Sequence, residues 1–114
     1  HMMAQALAQV VRLQEEPVLL LASSELSQYL PVDEVRANDQ RLLGAMSALD
    51  SASVRHQAGR QRGSLCGLGA LVCAIEAARR LGATQSTVSA YATSADAGGD
   101  PYAAVGYAGV ILHD

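Results

Sequence analysis

The sequence predicts a layered α/β fold with about three strands and three to four helices. Three observations support this prediction. The run PVLLLA, residues 17–22, is apolar without polar alternation, which is typical of a strand covered on both faces in a parallel sheet. The stretch CGLGALVCAIEAARRLGA, residues 66–83, has apolar residues at helical spacing. Two β-type stretches, Thr87–Thr93 and Ala103–Leu112, follow it along the chain.

The first half of the chain is predicted to hold two or three helices around the apolar run. Residues Met3–Gln14 form an amphipathic pattern, and Pro17 disfavours helix in the residue before it. Asp33 is the expected N-cap of the next helix. The buried stripe of that helix is predicted to be Val35, Leu42, Leu43, Met46 and Leu49. Ser51–His56 is expected to extend it as a short second piece.

The second half alternates between glycine-containing loops and regular elements. The basic segment GRQRGS, Gly59–Ser64, is predicted to be a mobile loop, and Gly82 is a favourable stop for the long helix that follows it. Ser94–Asp100 is turn-rich. The order is therefore helix, strand, helix, a short helix, helix, strand, strand.

Composition bounds the class of protein. The chain has 114 residues, half of them hydrophobic, so we expect one domain with an aliphatic core that contains no Trp and no Phe. The net charge is −3 and all eight basic residues are Arg and scattered, which argues against a nucleic-acid surface. No stretch is apolar enough to span a membrane. His1-Met2 is typical of a cloning scar, which leaves residues 3–114 as the expected domain.

The two cysteines are expected to be free thiols. If Cys66 and Cys73 share one helix, they lie roughly 10 Å apart, too far for a disulfide. Free thiols suit a reducing compartment, so we expect a cytoplasmic protein. Cys66 has two readings that the sequence leaves open: a reactive thiol near a helix start, or a small packed residue.

Few residues offer catalytic chemistry. The three histidines lie in no nucleophile motif, and the spacing of the cysteines is not that of a zinc site. The glycines at 67 and 69 lack the preceding strand that a dinucleotide site needs. Glu25 and Asp96 follow predicted strands, so both can face one crevice at the end of the sheet. The alternative is that each carboxylate satisfies the amides of its own turn.

Four stretches in register resemble one family. SSELSQYLPVDEVRANDQ (23–40), the helix CGLGALVCAIEAARRLGA, the loop YATSADAGGD (91–100) and the strand VGYAGVIL (105–112) resemble segments of Memo-like proteins, which include the AmmeMemoRadiSam system protein B. Order and spacing agree from about Leu7 to Leu112. The resemblance implies the C-terminal half of a fold shared with class III extradiol dioxygenases, which use non-haem iron.

The resemblance implies a site at matching positions. Cys66 matches the family's cysteine, Glu25 its aspartate, and Gln28 the histidine that transfers protons in the related dioxygenases. The positions of less certain role are Ser24, Thr93, Ser94, Asp96 and Tyr107. The family's first half supplies further metal-site histidines that this sequence does not contain.

The departures from the family imply lost catalysis. Gln28 is a neutral amide that cannot exchange a proton near neutral pH. A 2-His-1-carboxylate iron site cannot be assembled from one Cys without His ligands. Replacing Asp by Glu at position 25 shifts the carboxylate by about one C–C bond. We therefore expect no cofactor and no catalytic residue, and the site residues are expected to be vestigial.

Two hypotheses about function follow. The first is a catalytically degenerate, Memo-like half-domain that acts as a binding or assembly module and forms a homodimer or higher homo-oligomer. The alternative is the C-terminal subunit of a split, metal-dependent enzyme, in which a partner chain supplies histidines and Cys66 binds iron or another divalent metal. A third possibility is that the chain is an excised fragment of a longer parent. No nucleic-acid or membrane partner is expected under any of these.

Overall fold

Four helices and three strands follow one another in the order that the sequence predicts for most of the chain. The computed structural model describes residues 1–63 and 65–114, so Ser64, the last residue of the predicted basic loop, lies outside the described residues. Its elements are α1 (Met2–Arg12), β1 (Gln28–Leu30), α2 (Val32–Ser47), α3 (Ser51–Gly59), α4 (Leu68–Arg80), β2 (Gln85–Thr93), a 3₁₀ helix (Ser94–Ala97) and β3 (Ala104–His113). The α/β class is confirmed.

The sheet is antiparallel, with β3 between β1 and β2. Strands β2 and β3 form a long ladder from Gln85–His113 to Thr93–Gly106, with a register shift between Val88 and Ala90. The two predicted C-terminal strands are thus confirmed. Strand β1 is short and bent, because Tyr29 has a φ of 57°, a conformation that a bulky side chain rarely adopts.

The core lies between α2, α3, α4 and one face of the β2–β3 hairpin. The helical periodicity that predicted α2 and α4 places their apolar residues on this side, where each fully buried aliphatic side chain contributes about 1.5–3 kcal/mol. The buried residues of the main cluster are Leu26, Leu42, Met46, Val54, Ala58, Leu65, Val72 and Ile75.

The apolar run of residues 17–22 is not a strand, so this prediction was wrong, as was the parallel sheet it implied. Leu19 and Leu21 are 85% and 86% exposed. A uniform apolar pattern is typical of a strand that pairs with another strand along each edge and is covered on both faces of the sheet. A strand forms only where a neighbour supplies hydrogen bonds, and no described strand of this chain pairs with this segment.

The helix boundaries refine two predictions. Helix α2 begins at Val32, and its N-cap is Pro31 rather than Asp33, because the Pro31 carbonyl already accepts the first helical bond from Val35. Asp33 lies in the first turn, where its charge is favourable. Helix α3 is a separate helix, capped by the Asp50 carboxylate, which accepts a hydrogen bond from the Ala52 N–H.

None of the described helices combines the length and hydropathy that crossing a bilayer requires.

Candidate functional site

The segment Ser24–Leu30 is fixed along one end of β3. Leu26 N–H donates to the Gly106 carbonyl at 3.0 Å, and Gly106 N–H donates back to the Ser27 carbonyl at 2.9 Å. The Ser27 N–H donates to Asp39 Oδ1 at 2.9 Å. These backbone bonds hold the polar side chains of the segment in place between the sheet and the residues that precede α4.

Cys66 lies beside this segment, two residues before α4. The Glu25 N–H points at Cys66 Sγ at 3.2 Å, and Ser24 Oγ lies 3.7 Å from the same sulfur. The loop is held close because Gly67 N–H donates to Ser24 Oγ at 3.0 Å, and a Cβ on Gly67 would lie 2.6 Å from the Ser23 carbonyl oxygen. The Cys66 thiol is exposed, so the reading of Cys66 as a packed residue was wrong.

The Glu25 carboxylate accepts a hydrogen bond from Gln28. The Gln28 Nε2 donates to Glu25 Oε2, and both side chains are half-buried. The amide gives this carboxylate a donor but no exchangeable proton near neutral pH. The geometry therefore places Ser24, Glu25, Gln28 and Cys66 together, which we call the Cys66 cluster.

A second group of predicted site residues lies in the turn after β2, where Thr93 and Asp96 form hydrogen bonds with each other. Thr93 and Asp96 form a capping box, in which Thr93 N–H donates to Asp96 Oδ2 at 2.7 Å and Asp96 N–H donates to Thr93 Oγ1 at 3.3 Å. Arg36 donates to Asp96 Oδ1 at 2.8 Å. The backbone bond from Thr93, aided by Arg36, lowers the pKa of Asp96. Ser94 Oγ accepts the Val105 N–H at 2.9 Å.

Glu25 and Asp96 therefore have different partners, and no described hydrogen bond joins their two groups. Tyr107 belongs to neither group. It follows Gly106, whose Cα faces Asp39, so by the alternation of a strand Tyr107 points to the opposite face of the sheet. The side chain of Tyr107 is 45% exposed there.

Asp39 is a residue that sequence reasoning missed. It is 0% exposed, and its carboxylate accepts the Ser27 N–H and, at 2.7 Å, the Tyr91 hydroxyl. Burial, together with the bond to Asp39, raises the pKa of Tyr91 well above its usual range. A signal was present: Asp39 lies four residues after Val35 and three before Leu42, so this acid occupies the apolar stripe of α2.

The donor set of the Cys66 cluster does not suit an iron site by itself. It offers one thiol, one carboxylate and one neutral amide, whereas a facial triad requires two imidazoles and a carboxylate. Across residues 1–63 and 65–114, no three His, Cys, Asp or Glu side chains are grouped to hold a metal ion. The residues of this cluster by themselves do not fit the non-haem iron site that the class III extradiol dioxygenases use.

An apolar groove with a volume of about 650 Å³ lies next to the Cys66 cluster. One wall is the segment Val18–Ala22, and the others come from α4 and β3. Ser24 and Leu26 also reach it, so the groove continues into the segment that carries Glu25. The groove and the exposed Leu19 and Leu21 form one surface, which we call the apolar face.

Comparison with known proteins places the chain in a protein family. The model of the family described as Memo-like protein matches residues 1–111. A MEMO1 family protein of Aquifex aeolicus is 37% identical over 100 residues, which cover 88% of this chain and 38% of that protein. One of Methanosarcina barkeri is 31% identical over 106 residues, which cover 93% of this chain and 40% of that protein. The chain spans about two-fifths of the length of these curated relatives.

Proposed function

The chain belongs to the Memo-like protein family, and from this membership we propose that it is a catalytically degenerate domain that acts as a binding or assembly module. The observation that supports the proposal is the pairing of Glu25 with Gln28. Gln28 stands at the position of the family's histidine, which transfers protons in the related dioxygenases, and its amide donates a hydrogen bond to the Glu25 carboxylate. General acid–base catalysis typically contributes two to four orders of magnitude in rate, and the Gln28 amide cannot supply it.

Assembly is supported by the apolar face. Leu19 and Leu21 expose most of their side chains beside a groove of apolar residues. Contiguous apolar surface of this kind typically marks an interaction site. We take the partner to be a second copy, because a two-fold axis lets the same face cover itself in both chains.

Both cysteines are free, which supports a cytoplasmic location.

Metal analysis of the purified protein tests the degenerate site. We expect iron, copper and zinc well below one equivalent per chain in the wild type and no change in Cys66→Ser. Cys73→Ser serves as the control, since Cys73 lies on α4 away from the Cys66 cluster. A stoichiometric metal that is retained in Cys73→Ser and lost in Cys66→Ser would overturn the proposal.

A second candidate is the C-terminal subunit of a split, metal-dependent enzyme. The observation that favours it is that Cys66 is an exposed residue, with its sulfur 3.2 Å from the Glu25 backbone nitrogen. A partner that supplies histidines would then complete the donor set. Co-expression with the N-terminal portion of a full-length relative tests this candidate. Copurification of the two chains with one metal ion, lost in Cys66→Ser, supports it, and purification as separate metal-free chains excludes it.

A further inference from the structure

A polar pocket of about 410 Å³ lies between α2 and the end of α3, and no residue of it belongs to the Cys66 cluster. Its wall on α2 comes from residues spaced along one side of that helix. The rest comes from the last turn of α3 and the basic loop that follows it. The lining residues are Glu34, Asn38, Arg41, Gln57, Arg60, Gln61 and Arg62.

The wall is positively charged in a chain whose net charge is −3. Three guanidinium groups accompany one carboxylate, so the lining carries a net charge of +2. Arg62 neutralises Glu34 through a bidentate contact, in which Nε donates to Oε1 at 3.2 Å and Nη2 donates to Oε2 at 2.8 Å. Arg41 and Arg60 have no acidic partner among the described residues. Two positive charges in the pocket are therefore uncompensated.

The pocket also contains amide donors without acceptors. Asn38 is 4% exposed, and its Oδ1 accepts from Arg41 at 2.8 Å. Because a guanidinium can only donate, this bond fixes the orientation of the amide and leaves Nδ2 as the free end. The buried Nδ2 has no partner within residues 1–63 and 65–114, and the same holds for Gln61 Nε2. Buried donors without partners are rare in folded proteins.

The unpaired charges of the pocket are thus cations, and its described buried polar atoms without a partner are donors. An anion with several acceptor oxygens satisfies such a set, and phosphate is the group that guanidinium forks bind best. The volume lies in the range of small-molecule sites. We propose that this pocket binds the phosphate group of a small phosphorylated molecule, with Arg41 and Arg60 as the charged ligands and Asn38 as the buried donor.

The site is independent of the proposed function, because none of its residues lines the apolar face or belongs to the Cys66 cluster. Isothermal titration calorimetry at low ionic strength tests it with three probes: inorganic phosphate, pyrophosphate and glycerol 3-phosphate. We expect at least one probe to bind, and the ranking separates free phosphate from a phosphomonoester. Affinity is expected to fall as salt rises, because charges near a surface are screened.

Variants locate the binding. Arg41→Gln and Arg60→Gln are each expected to weaken affinity about tenfold, the usual effect of losing one charge-assisted hydrogen bond. Asn38→Asp keeps the acceptor for Arg41 but replaces the Nδ2 donor with a negative acceptor, so binding should be lost. The control is Arg55→Gln, which removes an exposed arginine of α3 outside the pocket and should bind like the wild type.

Two results overturn the proposal. The first is the absence of binding heat with all three probes. The second is an equal loss of affinity in Arg55→Gln and Arg60→Gln, which would indicate diffuse charge attraction. Urea unfolding of each variant identifies a structural role for Arg60 at the C-terminus of α3, where a cation is favourable. If Arg60→Gln lowers the free energy of unfolding and leaves the binding isotherm unchanged, Arg60 is not a ligand.

Discussion

The carboxylate of Asp39, buried on α2, accepts the hydroxyl of Tyr91 on β2 at 2.7 Å. Its other oxygen accepts the Ser27 N–H. Gly106 of β3 lies against the same carboxylate, where a Cβ would overlap Asp39 Oδ2. One side chain therefore joins three of the four stretches that carry the family resemblance, and it positions the segment that holds Glu25.

Asp39→Ala is expected to lower the free energy of unfolding by about 3 kcal/mol, because it leaves the buried Ser27 N–H and the Tyr91 hydroxyl without an acceptor. Tyr91→Phe is expected to cost less, about 2 kcal/mol, since it removes one donor to a charged group. Urea unfolding measures both. The two losses should be non-additive in the double variant, because the residues share one bond. Additive losses would contradict the coupling.

Gly106→Ala is expected to be strongly destabilising, because the added methyl group overlaps the Asp39 carboxylate, which is fully buried and held by hydrogen bonds to both of its oxygens. The control is Gly44→Ala on α2, whose added methyl group meets nothing within 4 Å. Alanine is favoured over glycine inside a helix by about 1 kcal/mol, so this variant should be more stable than the wild type. Thermal unfolding compares the two, and similar melting temperatures would argue against the close approach.

The raised pKa of Tyr91 predicts a loss of stability in alkali. Because the folded state holds the neutral hydroxyl, its contribution is complete below the unfolded pKa of about 10 and is lost as pH rises above that value. The free energy of unfolding should fall less with rising pH in Tyr91→Phe than in the wild type. The measurement runs from pH 8 to pH 11, roughly either side of that value. Tyr102→Phe, which removes a hydroxyl from a side chain 81% exposed, should keep the wild-type slope.

Local patterns predicted the helices and the C-terminal hairpin because those elements depend mainly on nearby residues. The spacing of Val72 and Ile75 defines the buried face of α4, and Gly82 with its φ of 106° follows the end of that helix. The segment at residues 17–22 could not be predicted in the same way. Its apolar side chains indicate what a strand would bury, but pairing depends on a neighbour that local sequence does not specify.

The candidate site was predicted in part. The resemblance identified Glu25, Gln28 and Cys66, which the structure brings together, but it could not separate them from the turn closed by Thr93 and Asp96. The bonds of Asp39 to Ser27 and Tyr91 span 12 and 52 residues, so no local pattern contains them. Its position within an apolar stripe was the available clue.

The difference in exposure between the two thiols predicts selective alkylation. Cys66 is exposed and Cys73 is half-buried on α4, so iodoacetamide should modify Cys66 first. Mass spectrometry after brief treatment should find one label, on the peptide that contains Cys66. Cys66→Ser should abolish the rapid label, whereas Cys73→Ser should retain it. Equal rates at both cysteines would contradict the exposed position of Cys66.

The apolar face predicts self-association that two substitutions remove. The double variant Leu19→Glu/Leu21→Glu places charges at side chains that are 85% and 86% exposed, so the fold should lose little stability while the interface between copies is disrupted. Sedimentation velocity should find a concentration-dependent dimer in the wild type and a monomer in the variant. The control is Leu13→Glu, which charges a side chain 80% exposed outside the groove and should still dimerise. A wild-type chain that stays monomeric and folded at high concentration would exclude the second copy as the partner.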